Sequence, residues 1–236
     1  VPGGSAREPS SRRARLVIPS PRLAFMYRHV IWDMGGTLVD TYPALDAALA
    51  EVVRAHGGDV AVGAVSRLTR VSTGHAVSTL AARFGVPEAE FEAAEESLKA
   101  RWRSDPAPAM PGAHRLLHDV RAAGGLNLVV THRDRGSAQS LLDGLGLEAD
   151  DLISTADGYP RKPDPAMYVA MLERHGLDPA DCLAVGDRPI DADAAAAAGL
   201  ATATLESPEA PVDDRADHSV ASLEELRPLL GLAPVV

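Results

Sequence analysis

The stretch His29-Val30-Ile31-Trp32-Asp33-Met34-Gly35-Gly36-Thr37-Leu38 decides the fold. A short apolar run ends on an aspartate, and a glycine pair follows at once. That is how a buried strand runs into a tight turn. Downstream, Ala, Leu and Val recur at helical spacing around 44–55, 61–70, 75–84 and 88–103, with breaks at Gly57-Gly58, Gly74 and Gly85–Pro87. From Pro111 the pattern changes. It predicts helices over 112–123, 136–144, 164–175 and 190–198 and strands over 126–131, 151–154, 182–186 and 200–204. A strand near 217–220 and a helix over 222–230 close the chain. Strands alternating with helices of this length predict an α/β fold with a parallel sheet covered on both faces. The expected units are a core of residues 27–41 and 111–236, an inserted all-helical subdomain at 42–110, and a tail at 1–26.

Composition narrows the function. The 236 residues are 46% hydrophobic and 24% charged, enough for a full core. The single cysteine, Cys182, excludes an intramolecular disulfide framework and any zinc site needing two thiolates. No apolar run approaches the ~20 residues of a bilayer span, so no membrane role is expected. Net charge is −10, and the six arginines of residues 1–32 (against Glu8 alone) leave the rest more acidic still. Such a body repels phosphate backbones, so nucleic acid is not an expected partner. The Arg-rich start, broken by Pro2, Pro9, Pro19 and Pro21, resembles a transit peptide. It reads more simply as a disordered tail, or as sequence upstream of a true start at Met26, and the expected location is the cytoplasm.

In an open parallel sheet, ligands sit beyond the carboxyl ends of the strands. Four groups of chemically capable residues fall there. Asp33 ends the first strand, Thr131 ends the strand 126–131, and Lys162 lies in the loop after 151–154. Asp187 ends Leu183-Ala184-Val185-Gly186, with Asp191 four residues on. Each alone has an ordinary reading as a turn or a helix cap. Together, a nucleophilic carboxylate, a hydroxyl, a lysine and two further carboxylates are the parts for metal-assisted phosphoryl transfer.

These motifs, in this order and spacing across residues 29–230, resemble the haloacid dehalogenase-like (HAD) hydrolase superfamily. The helical insertion is similar to the cap of its phosphoglycolate phosphatase-like branch. The resemblance implies a Rossmann-like core with an all-helical cap. It implies a phosphatase of small phosphorylated metabolites working through an aspartyl phosphate on Asp33. Mg²⁺ would be held by Asp33, the Gly35 carbonyl, Asp187 and Asp191, an all-oxygen set that suits that ion. Thr131, the N–H of His132, Gly36 and Thr37 would hold phosphate oxygens, and Lys162 would neutralise charge on them.

One position departs from the pattern. The family's phosphatases usually carry a second aspartate two residues after the nucleophile, as proton donor and water activator. Here it is Gly35. General acid–base catalysis is worth ~10²–10⁴-fold. Three readings follow: a substrate whose leaving group needs little protonation, a substitute donor such as His132 or His75, or a catalytically weak phosphometabolite-binding or regulatory protein. The Schiff-base chemistry of phosphonate-cleaving members would hang on Lys99, whose simpler reading is a solvated helix face. Glu88–Glu96 likewise reads as a solvated acidic face, His114 and His118 as a surface pair, and Cys182 as core. Ser72-Thr73-Gly74 either forms an interhelical turn or faces substrate, where Arg67 and Arg70 would meet an anionic tail.

Overall fold

In a computed structural model of the chain, residues 27–208 and 215–234 are described. The expected tail, 1–26, lies outside the described residues. Six strands, β1 (His29–Trp32), β2 (Asn127–Val130), β3 (Asp151–Ile153), β4 (Cys182–Gly186), β5 (Ala201–Leu205) and β6 (His218–Val220), form one sheet. Their order is β3-β2-β1-β4-β5-β6 and every pair is parallel. This is the doubly wound order, with β1 central and the chain winding outward to either side. β1, β2 and β4 are buried at every position. They therefore read as continuous apolar runs rather than alternating ones, as strands covered on both faces must.

The covering layers come from α5 (Ala113–Ala122) and α6 (Arg135–Leu145) on one face and α7 (Ala166–His175) and α8 (Pro189–Ala197) on the other. Alternation along β1 sends Val30 and Trp32 to the first face, with Leu116 and Leu141. Ile31 goes to the second, with Tyr168, Met171 and Ala194. The buried Trp32 indole donates to Asn127 Oδ1 at 3.1 Å, and Asn127 Nδ2 donates to the Leu117 carbonyl at 2.8 Å. The buried indole and amide inside this layer thus find partners.

Between β1 and α5 the chain leaves the sheet to form α1 (Tyr42–Ala55), α2 (Val62–Thr69), α3 (Thr73–Phe84) and α4 (Glu88–Arg101). Leu49, Val53, Leu80 and Phe91 give this helical block a core continuous with the first face of the sheet. Thr69 Oγ1 donates to the buried Asp46 at 2.6 Å and ties α2 to α1. The outgoing and returning connections run side by side: Met110 N–H donates to the Leu38 carbonyl at 2.9 Å and Asp40 N–H to Pro108 at 2.8 Å.

The elements fall close to the predicted spans except at the end. The helix expected over 222–230 is only a 3-10 turn, Leu223–Leu226. Pro228 lacks the N–H that a continuing helix would need. Arg227 instead turns inward to Asp119 Oδ2 at 2.8 Å. Among the described residues, no helix is long and apolar enough to cross a membrane.

Candidate active site

Asp33 follows β1, Thr131 follows β2 and Asp187 follows β4, so three neighbouring strands deliver them to one edge. Asp33, Thr131, Lys162, Asp187 and Asp191 are all under 5% exposed. Lys162 Nζ donates to Asp33 Oδ1 and to Asp191 Oδ1, both at 2.7 Å. Asp33, Asp187 and Asp191 each bring a carboxylate oxygen within 4.8 Å of the others. Asp33, Gly35, Thr131, Lys162 and Arg188 line a cavity of about 980 Å³ between this edge and the helical block.

The charges are unequal in their comfort. Burial pushes Asp191 upward, but Lys162 and Arg188 outweigh it and hold its carboxyl below the usual range. Burial leaves Asp33 raised despite Lys162. Asp187 is pushed up to about 7 by burial, with Asp33 and Asp191 adding to the rise against Arg188. Its Oδ2 is buried without a hydrogen bond, and Arg70 Nη1 approaches it only to 3.7 Å. A buried carboxylate oxygen with no hydrogen bond, crowded by two other carboxylates, is what a hard cation would relieve. The carboxylates of Asp33, Asp187 and Asp191 therefore form a donor set that a hard cation such as Mg²⁺ would fit. Asp191 fits an outer position better: Oδ1 takes the Lys162 ammonium and Oδ2 the Arg188 backbone N–H at 3.2 Å.

The turn after β1 is built for close approach. Gly36 has φ +90, and a Cβ there would fall 2.3 Å from Tyr42 Cε2 and 2.5 Å from Asp187 Oδ2. Thr37 is fully buried, and its hydroxyl lies 3.5 Å from Asp187 Oδ1 rather than facing the cavity. Thr131 keeps its hydroxyl proton available, since Oγ1 accepts the Arg133 N–H at 3.2 Å. His132 Nε2 accepts the backbone N–H of Lys162 at 2.8 Å. Burial, then Lys162 and Arg161, push its imidazole down to about 3, so it is neutral and holds no proton to give from Nε2. His75 is exposed.

The helical block closes the other side. Glu88 and Glu92 are exposed, as a solvated face requires, and with Lys99 they also line the cavity. Lys99 is held by Glu95 at 2.9 Å and Glu96 at 2.8 Å. Ser72, Thr73 and Gly74 also line it. Arg67 is exposed, whereas Arg70 lies 3.6 Å over the Tyr42 ring. His114 Nε2 bonds the Leu145 carbonyl at 2.7 Å. Sequence reading gave no role to Arg188, although its motif was in view. Its guanidinium Nε is buried without a hydrogen bond, 3.7 Å from Asp191 Oδ2. It also missed Thr41, signalled only by a hydroxyl residue placed just ahead of Pro43.

A doubly wound sheet with its acidic residues and one lysine gathered at the carboxyl edge is the architecture of a hydrolase of the HAD kind. Residues 27–199 match the haloacid dehalogenase-like hydrolase family, and the chain belongs to it. It is 34% identical over 188 residues to a phosphoglycolate phosphatase of Rhodospirillum rubrum, covering 74% of this chain and 78% of that one. With hexitol phosphatase A of Escherichia coli it shares 29% over 206 residues, 83% and 91% of the two chains. In fold it is similar to a HAD family hydrolase of Deinococcus radiodurans R1, at TM-score 0.74 and 22% identity, covering 89% of this chain and 99% of that one.

Proposed function

We propose that this chain is a Mg²⁺-dependent phosphatase of a small phosphorylated metabolite, with Asp33 as nucleophile and the helical block as a cap over the site. The observation that carries the reading is Lys162 Nζ bridging Asp33 and Asp191 at 2.7 Å, with Asp187 gathered beside them and with Asp33 and Lys162 lining one cavity. Relatives named for phosphoglycolate and hexitol substrates support the substrate class.

The chemistry follows from placement. An Asp33 oxygen attacks phosphorus, the ester P–O bond breaks, and an alcohol leaves after taking a proton. Water then attacks the phosphorus of the aspartyl phosphate and returns the carboxylate. A carboxylate meets a phosphate dianion only when cations offset the repulsion. Lys162 supplies one such charge at Asp33, and Arg188 stands with an unbonded N–H at the cavity wall. Thr131 Oγ1 and the N–H beyond it face the transferred oxygens. Mg²⁺, when bound, would supply further Lewis-acid stabilisation of that group.

Phosphate release from a panel of phosphometabolites and an aryl phosphate, with and without Mg²⁺, tests the reading. Metal-dependent release, reduced at least ~10³-fold in Asp33→Asn, is the expected result. No release from the folded wild-type protein would instead favour the second reading that Gly35 suggests, a catalytically weak phosphometabolite-binding protein.

A further inference from the structure

The space of the missing carboxylate is not empty. A Cβ built on Gly35 would lie 3.1 Å from Thr41 Oγ1. Thr41 occupies the position before α1, where a threonine hydroxyl ordinarily accepts a backbone N–H two or three residues on. It makes no such bond here, for two local reasons. Pro43 removes the nearer N–H. The backbone of Thr41 is helical, at φ −87 and ψ −21, not the extended conformation that capping requires. The residue is 5% exposed, yet it lines the cavity beside Asp33, Gly35 and Lys162. A hydroxyl with no cap bond to its helix thus sits beside Gly35, on the same cavity as Asp33.

Resting on the phosphatase reading, we propose that Thr41 Oγ1 is the hydrogen-bonding group that serves the leaving oxygen in place of the absent aspartate. A hydroxyl cannot store a proton at neutral pH as a carboxyl can. It donates its O–H to the ester oxygen as the P–O bond breaks, and one water stands beside that oxygen. That water protonates the departing alkoxide, and the hydroxide left behind attacks the aspartyl phosphate in the second step. Atoms and charge balance to phosphomonoester plus water giving alcohol plus hydrogen phosphate. A hydrogen bond gives less help than a proton, so the site favours phosphoesters whose leaving groups are stable anions. Aryl, enol and acyl phosphates are preferred over simple alkyl phosphates.

Thr41→Val, Thr41→Ser and Gly35→Asp test this on an aryl and an alkyl phosphate, with circular dichroism and Mg²⁺ titration confirming intact variants. Removing one such donor costs ~10²-fold where charge develops on the oxygen it serves. Thr41→Val is expected to lose about that on the alkyl ester and under about threefold on the aryl ester, with Thr41→Ser restoring the alkyl rate. In the Gly35→Asp background a carboxylate takes the role over, and the valine substitution should then cost under about threefold on either ester. Equal losses on both esters, no loss, or failure of serine to rescue overturns the role of Thr41 while leaving the phosphatase reading in place. Absence of metal-dependent release from the wild-type protein overturns both.

Discussion

The two walls of the cavity are built differently. On the sheet side, Asp33, Thr131, Lys162, Asp187 and Asp191 are buried, each fixed by a strand end or a short loop, and Lys162 binds two of them at 2.7 Å. On the helical side, Glu88 and Glu92 are exposed, Val71 is 55% exposed, and Lys99 is held by flexible glutamates. Rigid placement suits groups that must meet a reacting phosphorus to within a fraction of an ångström. Looser placement suits groups that only have to accept one metabolite and refuse another. On the proposed reading, the difference divides chemistry from selectivity between the two walls.

The most damaging way to break the rigid wall is Lys162→Met. It leaves Asp33 and Asp191 buried without their ammonium, and removing one partner of a buried ion pair costs about 3–5 kcal/mol. Urea unfolding should show a loss of that order, and phosphate release should vanish. Gly36→Ala comes next, because its Cβ would press on Tyr42 and Asp187 from a left-handed backbone. A stability loss of about 1–3 kcal/mol is expected. Weaker Mg²⁺ binding by calorimetry should accompany it, and an unchanged metal isotherm would contradict this account of the turn.

A gentler probe uses His132. Its imidazole is held down to about 3 in the folded protein by burial and neighbouring cations, against 6.5 as its ordinary value. Below pH 6.5 the unfolded chain takes up a proton that the folded chain refuses, so stability falls as pH drops toward 3. The slope from this group is at most about 1.4 kcal/mol per pH unit. His132→Asn should flatten that part of the profile in pH-dependent urea melts. The smallest effect belongs to the loose wall. Glu92→Gln should shift KM among alkyl substrates by under about tenfold while leaving kcat on an aryl phosphate alone. A large kcat loss would place α4 in the chemistry and erase the distinction between the walls.

That distinction also explains what could be read beforehand. Strands buried on both faces and short strand-end loops are local signals, so β1, β2 and β4 and the residues after them were legible from Asp33 to Asp191. The loose wall was not. Glu88, Glu92 and Lys99 form a polar helix face that looks solvated in one dimension, and only the packing of α4 against α1 and α3 turns it toward a cavity. Arg67 and Arg70 are three residues apart on one turn, yet one is exposed and the other lies on Tyr42 beside Asp187. Thr41 was overlooked because its meaning depends on a lost cap and on the hydrogen that Gly35 carries instead of a side chain.

The paired connections at 38–40 and 108–110 have an architectural consequence. Met110 already donates to Leu38, and Asp40 to Pro108, so the chain departs from and returns to the sheet at almost a single point. A short linker joining Leu38 to Met110 would bypass the whole block without stretching any strand. The same junction would accept a different insert of any length whose ends lie equally close. On the proposed reading, the part that would select the substrate hangs from one junction, apart from the sheet edge that carries Asp33.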